Sequence, residues 1–299
     1  MQKHRTRALA TALLAVALAA LGLAGSAQAK LTGNYTKFLN CPYTNEEVLK
    51  CIDSVTESGE VVLGNKKVPI EKQVILQGGY GEAIEEKEGA EFAKFYAATN
   101  GVTLSKTPQN VPGGLLGIIP EASQPALVKA LIKFFFENSL TGVNSTLELA
   151  KPASEIRVSE NDLAGETGTA LQMPVKVHLE NPFLGKNCFV GSSTNPIIWK
   201  LTTGTTSPPP PNTAISGLGG EIEFLEEGRI LVSKNNKLVD NAWSAPPATG
   251  CGGILSFLVS PIINAQLGTT TAGHNTAILK GTLNVASALA VAKNNKENP

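Results

Sequence analysis

The sequence contains few of the residues that carry most enzymatic chemistry. Histidine occurs three times, and aspartate occurs only at Asp53, Asp162 and Asp240. The motifs G-x-S-x-G, S-x-x-K, H-E-x-x-H, G-x-G-x-x-G and the Walker A phosphate loop are all absent from the sequence. Few ways therefore remain to assemble a Ser-His-Asp triad or a metal centre. We predict no catalytic, cofactor-binding or metal-ligating residue, and no cofactor.

Aromatic residues are also scarce, at 5 % of the chain, and Trp199 and Trp243 are the only tryptophans. Stacked aromatic platforms for sugars are therefore not expected. A glycosidase would need two glutamates facing each other across a cleft, which a sequence does not reveal. His274 lies in a Gly-flanked polar loop and His178 on the polar face of a predicted strand. We interpret both as ordinary surface or loop residues, with His274 the better placed of the two to act as a base.

The N-terminus has the three parts of an export signal. A basic stretch containing Lys3, Arg5 and Arg7 precedes an apolar run from Ala8 to Ala24, and small residues follow up to Ala29. This pattern predicts a bacterial-type signal peptide over residues 1–29, cleaved after Ala29, and a secreted, extracellular or envelope-associated protein. No later segment reaches the ~18 apolar residues of a membrane helix, so we predict no transmembrane segment in the mature chain.

The charge of the mature chain is nearly balanced. The full sequence has 25 Lys and Arg against 25 Asp and Glu, and three of the basic residues belong to the predicted signal. The remaining small negative charge gives no electrostatic reason to expect nucleic acid as a partner. A protein or lipid partner stays possible.

All four cysteines, Cys41, Cys51, Cys188 and Cys251, lie in the predicted exported part. An even number of cysteines in an oxidising compartment indicates disulfides rather than metal ligands, and no C-x-x-C occurs. Three pairings are possible. We favour Cys41–Cys51 with Cys188–Cys251, because the first two lie in one short stretch that can fold back on itself.

Hydrophobic periodicity of two dominates the mature chain. In L-Q-M-P-V-K-V-H-L-E, apolar residues alternate with polar ones from Leu171 to Glu180, which is typical of a half-buried antiparallel strand. Pro174 favours a sheet edge or a bulge at that position. The final run, Ala277–Val291, is predicted to be one long strand. Short strands separated by turn residues predict a single, mainly β domain over residues 30–299: an antiparallel β-sandwich or open barrel with one helical insertion.

The insertion is expected at about residues 112–142. A helix is predicted there within Pro125–Asn138, and its surface is apolar apart from one narrow stripe. Burial against the sheet is the simpler interpretation. The alternative is an apolar docking surface for lipid or a second subunit within Leu115–Phe136, formed by Leu131, Phe134, Phe135 and Phe136.

Four stretches resemble parts of uncharacterised secreted proteins of actinobacteria: F-L-N-C-P-Y-T-N-E-E-V-L-K-C (Phe38–Cys51), H-L-E-N-P-F-L-G-K-N-C (His178–Cys188), A-T-G-C-G-G (Ala248–Gly253) and T-A-G-H-N-T-A-I-L-K-G-T-L-N-V-A (Thr271–Ala286). The resemblance implies an extracellular setting and paired cysteines, and it carries no activity with it.

Three functional hypotheses follow from the sequence. The first is a secreted, non-catalytic β-rich protein with a binding, envelope-associated or structural role. The second is a secreted hydrolase with an unrecognised active site, in which His274 or a pair of glutamates would lie in a concave pocket. The third is a lipid- or subunit-docking protein that uses the apolar Leu115–Phe136 segment.

Overall fold

A computed structural model of the chain describes residues 30–87, 90–117, 122–136 and 141–297. The predicted signal peptide lies outside these ranges. The strands are β1 (Lys50–Leu63), β2 (Lys66–Pro69), β3 (Val74–Lys87), β4 (Ala90–Ala97), β5 (Pro108–Val111), β6 (Val143–Leu149), β7 (Arg157–Val158), β8 (Leu171–Glu180), β9 (Phe189–Val190), β10 (Ile197–Leu201), β11 (Glu221–Leu225), β12 (Ile230–Asp240), β13 (Ala248–Thr249) and β14 (Asn275–Ser287). The α-helices are α1 (Ala126–Phe136), α2 (Glu160–Gly165), α3 (Ser256–Leu267) and α4 (Ala288–Glu297), and short 3-10 helices span Gly33–Phe38, Gly114–Leu116, Ala153–Glu155 and Gly253–Leu255.

The strands of the described ranges form one antiparallel sheet. Its main path has the order β11-β12-β14-β1-β3-β4-β7-β8-β6-β5, while β2 pairs with β1, β9 and β10 pair with β8, and β13 pairs with β9. Thr202, just after β10, exchanges two backbone hydrogen bonds of 2.9 Å with Val239 of β12. The sheet therefore curls until strands from distant parts of the path meet, without closing. The mainly β prediction is confirmed, and the architecture is a single curved open sheet.

Two glycines permit the close contact between β1 and β14. The pairing register of these strands shifts between Thr56 and Ser58, as in a β-bulge. A Cβ on Gly281 would overlap the carbonyl oxygen of Val55, and one on Gly59, whose φ is 129°, would overlap that of Ile278. Only glycine fits at these positions, and the bulge bends the sheet where it curls.

The described residues bury two hydrophobic clusters. The larger lies inside the curl of the sheet and includes Phe95, Ile156 and Trp199, all fully buried. The smaller lies beneath the N-terminal 3-10 helix and α4, and includes Phe38 and Val291. Among the helices of the described ranges, none is both long and apolar enough to cross a membrane.

The prediction of one long strand over Ala277–Val291 is wrong at its C-terminal end. The strand β14 stops at Ser287, and helix α4 begins at Ala288. The segment that follows Ser287 is rich in alanine, which has the highest helix propensity. The helix also buries Val291 completely in the smaller cluster, and this tertiary contact adds to the local preference.

The prediction that Pro174 marks a sheet edge or a bulge is also wrong, because β8 has neighbours on both sides. The carbonyl oxygen of Pro174 accepts a hydrogen bond from the Ala150 N–H at 2.9 Å. Within a strand the N–H and C=O of one residue point the same way, so the missing donor of Pro174 faces this side too. That side is the break where β6 has ended at Leu149 and β7 has not begun at Arg157, so no ladder bond is lost.

Candidate ligand-binding site

The four cysteines form two disulfides, Cys41–Cys51 and Cys188–Cys251, with Cα–Cα distances of 5.5 and 4.1 Å. These are the pairs favoured from the sequence. The first belongs to the smaller hydrophobic cluster and the second to the larger one. Two disulfides indicate an oxidising compartment.

His178 and His274 lie apart from each other, and neither lines the two apolar cavities found inside the sheet. His274 is in a turn, with Nδ1 3.3 Å from the Thr271 hydroxyl. His178 stacks on Phe189 with ring centroids 4.3 Å apart. Its Nδ1 lies 3.7 Å from Glu148 and 4.0 Å from Glu180. Those carboxylates also contact Lys176 and the Thr146 hydroxyl respectively. This arrangement is a network of ionic contacts and hydrogen bonds on the outer face of β6 and β8.

One site of the described residues is a cavity inside the curl of the sheet. Its volume is about 130 Å³. Most of its wall is aliphatic and comes from β1, β2, β3, β6 and β8 on the sheet and from α3. The stripe of β8 predicted to be apolar supplies Leu171, Met173, Val177 and Leu179 to this wall. Protein interiors are normally close-packed, so an apolar space of this size, similar to one that holds a benzene ring, is a candidate binding cavity.

A second cavity adjoins the first. Its volume is about 270 Å³, and its wall includes Ile52, Leu163 and Leu283. Four residues line both cavities: Ser54, Leu76, Leu171 and Leu238. The interior of the curled sheet therefore holds a pair of apolar compartments that share one wall.

Polar groups in the wall of the first cavity are few. The amide of Gln109 is fully engaged, since Oε1 accepts from the backbone N–H groups of Glu71 and Lys72 and Nε2 donates to the Lys72 carbonyl. The amide of Gln266 donates to the carbonyl of Leu115 at 2.8 Å. The hydroxyl of Ser145 and the indole N–H of Trp199 have no hydrogen-bond partner within the described ranges, and Trp199 is fully buried.

Lys66 is the one charged residue in the described wall of the first cavity. It is half-buried, and its ammonium forms no ion pair with a carboxylate of the described residues. Burial lowers the pKa of Lys66 below the ordinary value for lysine, because desolvation disfavours the charged form.

One end of the cavity is covered by helical segments. Leu115 of the Gly114–Leu116 turn lines the cavity together with Ile263 and Leu267 of α3. The opposite side of α3 faces solvent, where Phe257 is 70 % and Leu258 55 % exposed. Helix α3 therefore has one apolar side that lines the cavity and another apolar side that is exposed to solvent.

The predicted docking segment divides between these two environments. Leu115 lines the cavity, while Leu131 and Phe134 on α1 are exposed, Phe134 by 63 %. The side chains of Phe135 and Phe136 lie outside what the structure describes. Helix α1 contacts the Gly114–Leu116 turn, so its exposed residues belong to the same end of the molecule as α3.

Neither helix α3 nor the place of Lys66 in the site was predicted from the sequence. Pro261 lies inside α3, and an interior proline usually ends a helix, which hides the pattern. The available signal was the run from Gly252 to Leu267, which contains no charged residue. For Lys66, the available signal was that Lys66 and Lys67 are consecutive at the start of β2. Successive side chains of a strand point to opposite faces, so only one of the two lysines can face outward.

A scan against protein-family models and searches of curated proteins and of solved structures find no match for this chain.

Proposed function

We propose that this is a secreted, non-catalytic protein that binds an elongated apolar molecule inside its curled sheet. The observation that carries the proposal is the pair of adjoining cavities, of about 130 and 270 Å³, the first of which has a mostly aliphatic wall. Filling such a space with a hydrocarbon chain removes apolar surface from water at roughly 25 cal/mol per Å². The near absence of charge in the wall favours a ligand whose buried part is hydrocarbon.

Export is part of the proposal. The two disulfides and the predicted signal peptide, cleaved after Ala29, both support an extracellular or envelope-associated protein of bacterial type. Such a compartment is aqueous, so a lipid-like molecule that crosses it needs a carrier or a store.

Filling the cavity is expected to abolish binding. Ser145 lines it, half-buried in the middle of β6, and a phenylalanine there would occupy ligand space. We expect Ser145→Phe to weaken the binding of the dye Nile red by at least about tenfold, or 1.4 kcal/mol. The measurement is dye fluorescence in titrations with the purified mature protein, with displacement by dodecanol.

The matched control is Asn144→Phe, the same substitution at the neighbouring residue, which is exposed on the other face of β6. It should leave the dye affinity unchanged. If both variants bind Nile red as the wild type does, the dye sits on the exposed helices and the cavity is not a binding site.

A second candidate function follows from the exposed side of α3. We infer that this side contacts a lipid surface from which the apolar ligand enters, because the same helix lines the cavity with Ile263 and Leu267. From Gly252 to Leu267 there is no charged residue that would have to be desolvated at such a contact.

The substitution Leu258→Asp is expected to reduce binding to phosphatidylcholine vesicles by about tenfold, because it removes a leucine worth roughly 1.5–3 kcal/mol of burial. Its effect on the free energy of unfolding should stay within about 0.5 kcal/mol, since Leu258 is exposed. Vesicle co-sedimentation measures the binding. The control is Leu289→Asp on α4, another exposed helical leucine, and an equal loss in both variants would refute a specific contact through α3.

A further inference from the structure

We propose that the ligand of the first cavity is an anionic amphiphile, whose hydrocarbon chain lies along the aliphatic wall and whose negatively charged head group binds the ammonium of Lys66. This inference rests on the proposed function, and it adds the chemical class of the ligand and the group that recognises it.

The position of Lys66 follows from the hairpin that carries it. Gly64 and Asn65 form the turn between β1 and β2, and Lys66 pairs directly with Leu63 across it. Residues paired across two antiparallel strands share a face of the sheet. Leu63 and Lys66 both line the cavity, as does Val68 two residues later. The alternation of the strand therefore directs Lys66 toward the cavity.

The neighbouring Lys67 has the opposite orientation. It pairs with Val62, its side chain is 63 % exposed, and its ammonium forms an ion pair with Glu60 at 2.5 Å. The two adjacent lysines thus differ in one respect that matters: Lys67 has a carboxylate partner at the surface, and Lys66 has none among the described residues.

Lys66 lies at the covered end of the cavity. The Asn65 N–H donates to the carbonyl of Leu267 at 2.7 Å, which joins the hairpin turn to the end of α3. A Cβ built on Gly117 would lie 2.7 Å from Lys66 Nζ and 3.8 Å from Gln266 Oε1. The ammonium is therefore placed between the Gly117 backbone and α3, where an amphiphile that enters from this end would keep its head group.

A half-buried cation is costly without a counterion, and Lys66 has none among the described residues; burial already shifts Lys66 toward its neutral form. A carboxylate or phosphate head group would remove this cost through a charge-assisted hydrogen bond. A neutral head group would not, and a cationic one would add like-charge repulsion. The cavity should therefore rank ligands of equal chain length by the charge of the head group.

The test compares laurate, dodecanol and dodecyltrimethylammonium, which have the same alkyl chain, by displacement of Nile red at neutral pH. We expect laurate to bind at least about tenfold more tightly than dodecanol, and the cationic amphiphile to bind most weakly. Lys66→Met keeps the length of the side chain and removes the charge, so it should abolish the preference for laurate over dodecanol.

Lys67→Met is the matched control and should keep the preference for laurate. If Lys66→Met keeps the preference as well, or if both variants lose it equally, the head-group assignment is refuted while cavity binding stands. If Lys66 only complements the C-terminal end of α3, Lys66→Met lowers stability and leaves the ratio of the laurate and dodecanol affinities unchanged, which also refutes it. If none of the three amphiphiles displaces the dye from the wild-type protein, the proposed function itself fails.

Discussion

Replacing Cys188 and Cys251 together by alanine is expected to lower the free energy of unfolding by about 4 kcal/mol. The disulfide joins residues 63 positions apart, and its loss frees a long loop in the unfolded chain. Both cysteines are fully buried in the larger hydrophobic cluster. Urea unfolding of the mature protein, followed by intrinsic fluorescence, measures the change.

The Cys41→Ala/Cys51→Ala double variant is the comparison. It opens a link between residues only 10 positions apart, for which the same chain-entropy argument gives about 3 kcal/mol. Equal costs for the two variants, or a larger cost for Cys41–Cys51, would contradict the loop-length argument.

The two disulfides should differ further in their effect on ligand binding. Cys251 precedes the Gly253–Leu255 turn that leads into α3, and its N–H donates to the Ser260 hydroxyl at 3.2 Å. Cys188 precedes β9, which pairs with β8 of the cavity wall. Loss of this disulfide should loosen α3 over the cavity and weaken Nile red binding. Loss of Cys41–Cys51, which lies in the other cluster, should leave the dye affinity of the folded protein unchanged.

The apolar stripe of β8 was predictable because the alternation from Leu171 to Leu179 depends only on which residues avoid water. The same pattern does not reveal whether the opposite wall is close enough to fill the space. In this protein the curl of the sheet leaves a gap between β8 and β1. Residues whose pattern predicts a packed core therefore line a cavity. Cavity volume depends on the three-dimensional path of the sheet, which local periodicity does not reveal.

Strand ends were the least predictable feature of the fold. The segment after Ser287 alternates loosely enough to suit a strand, but its alanines favour a helix and Val291 finds a buried place in the smaller cluster. Pro174 led to a different error, the prediction of a sheet edge or a bulge at a position inside the sheet. A missing N–H predicts an edge only if a partner strand would otherwise face it, and here the break between β6 and β7 faces it instead.

The candidate site was less predictable than the fold. The apolar segment Leu115–Phe136 indicated an unusual surface, yet no sequence pattern connects it with α3, which lies far along the chain. Lys66 and Leu63 are brought to one wall by the hairpin of β1 and β2, which was not predicted from the sequence. A binding site formed by distant residues requires the topology to be known first.

Trp199→Ala is expected to lower the free energy of unfolding by about 3–5 kcal/mol, through the space left by a fully buried side chain. Trp199→Phe should cost much less. The indole N–H of Trp199 has no partner in the described part of the chain, and an unsatisfied buried donor carries a penalty of about 1–3 kcal/mol that phenylalanine does not. Removing the penalty of the unsatisfied N–H offsets part of the free-energy cost of the smaller side chain.

Trp243 provides the matched control because it contacts Trp199, with ring centroids 6.0 Å apart, and differs in its hydrogen bonding. Its indole N–H donates to the carbonyl of Asp240 at 3.2 Å. Trp243→Phe leaves that acceptor without its donor and should therefore cost more than Trp199→Phe in urea unfolding. Equal costs would show that the indole of Trp199 already has a partner, such as a water molecule within the cavity. Trp243→Phe also leaves Trp199 as the sole tryptophan, so a change in its fluorescence on addition of dodecanol would report that the alkyl chain reaches the cavity wall.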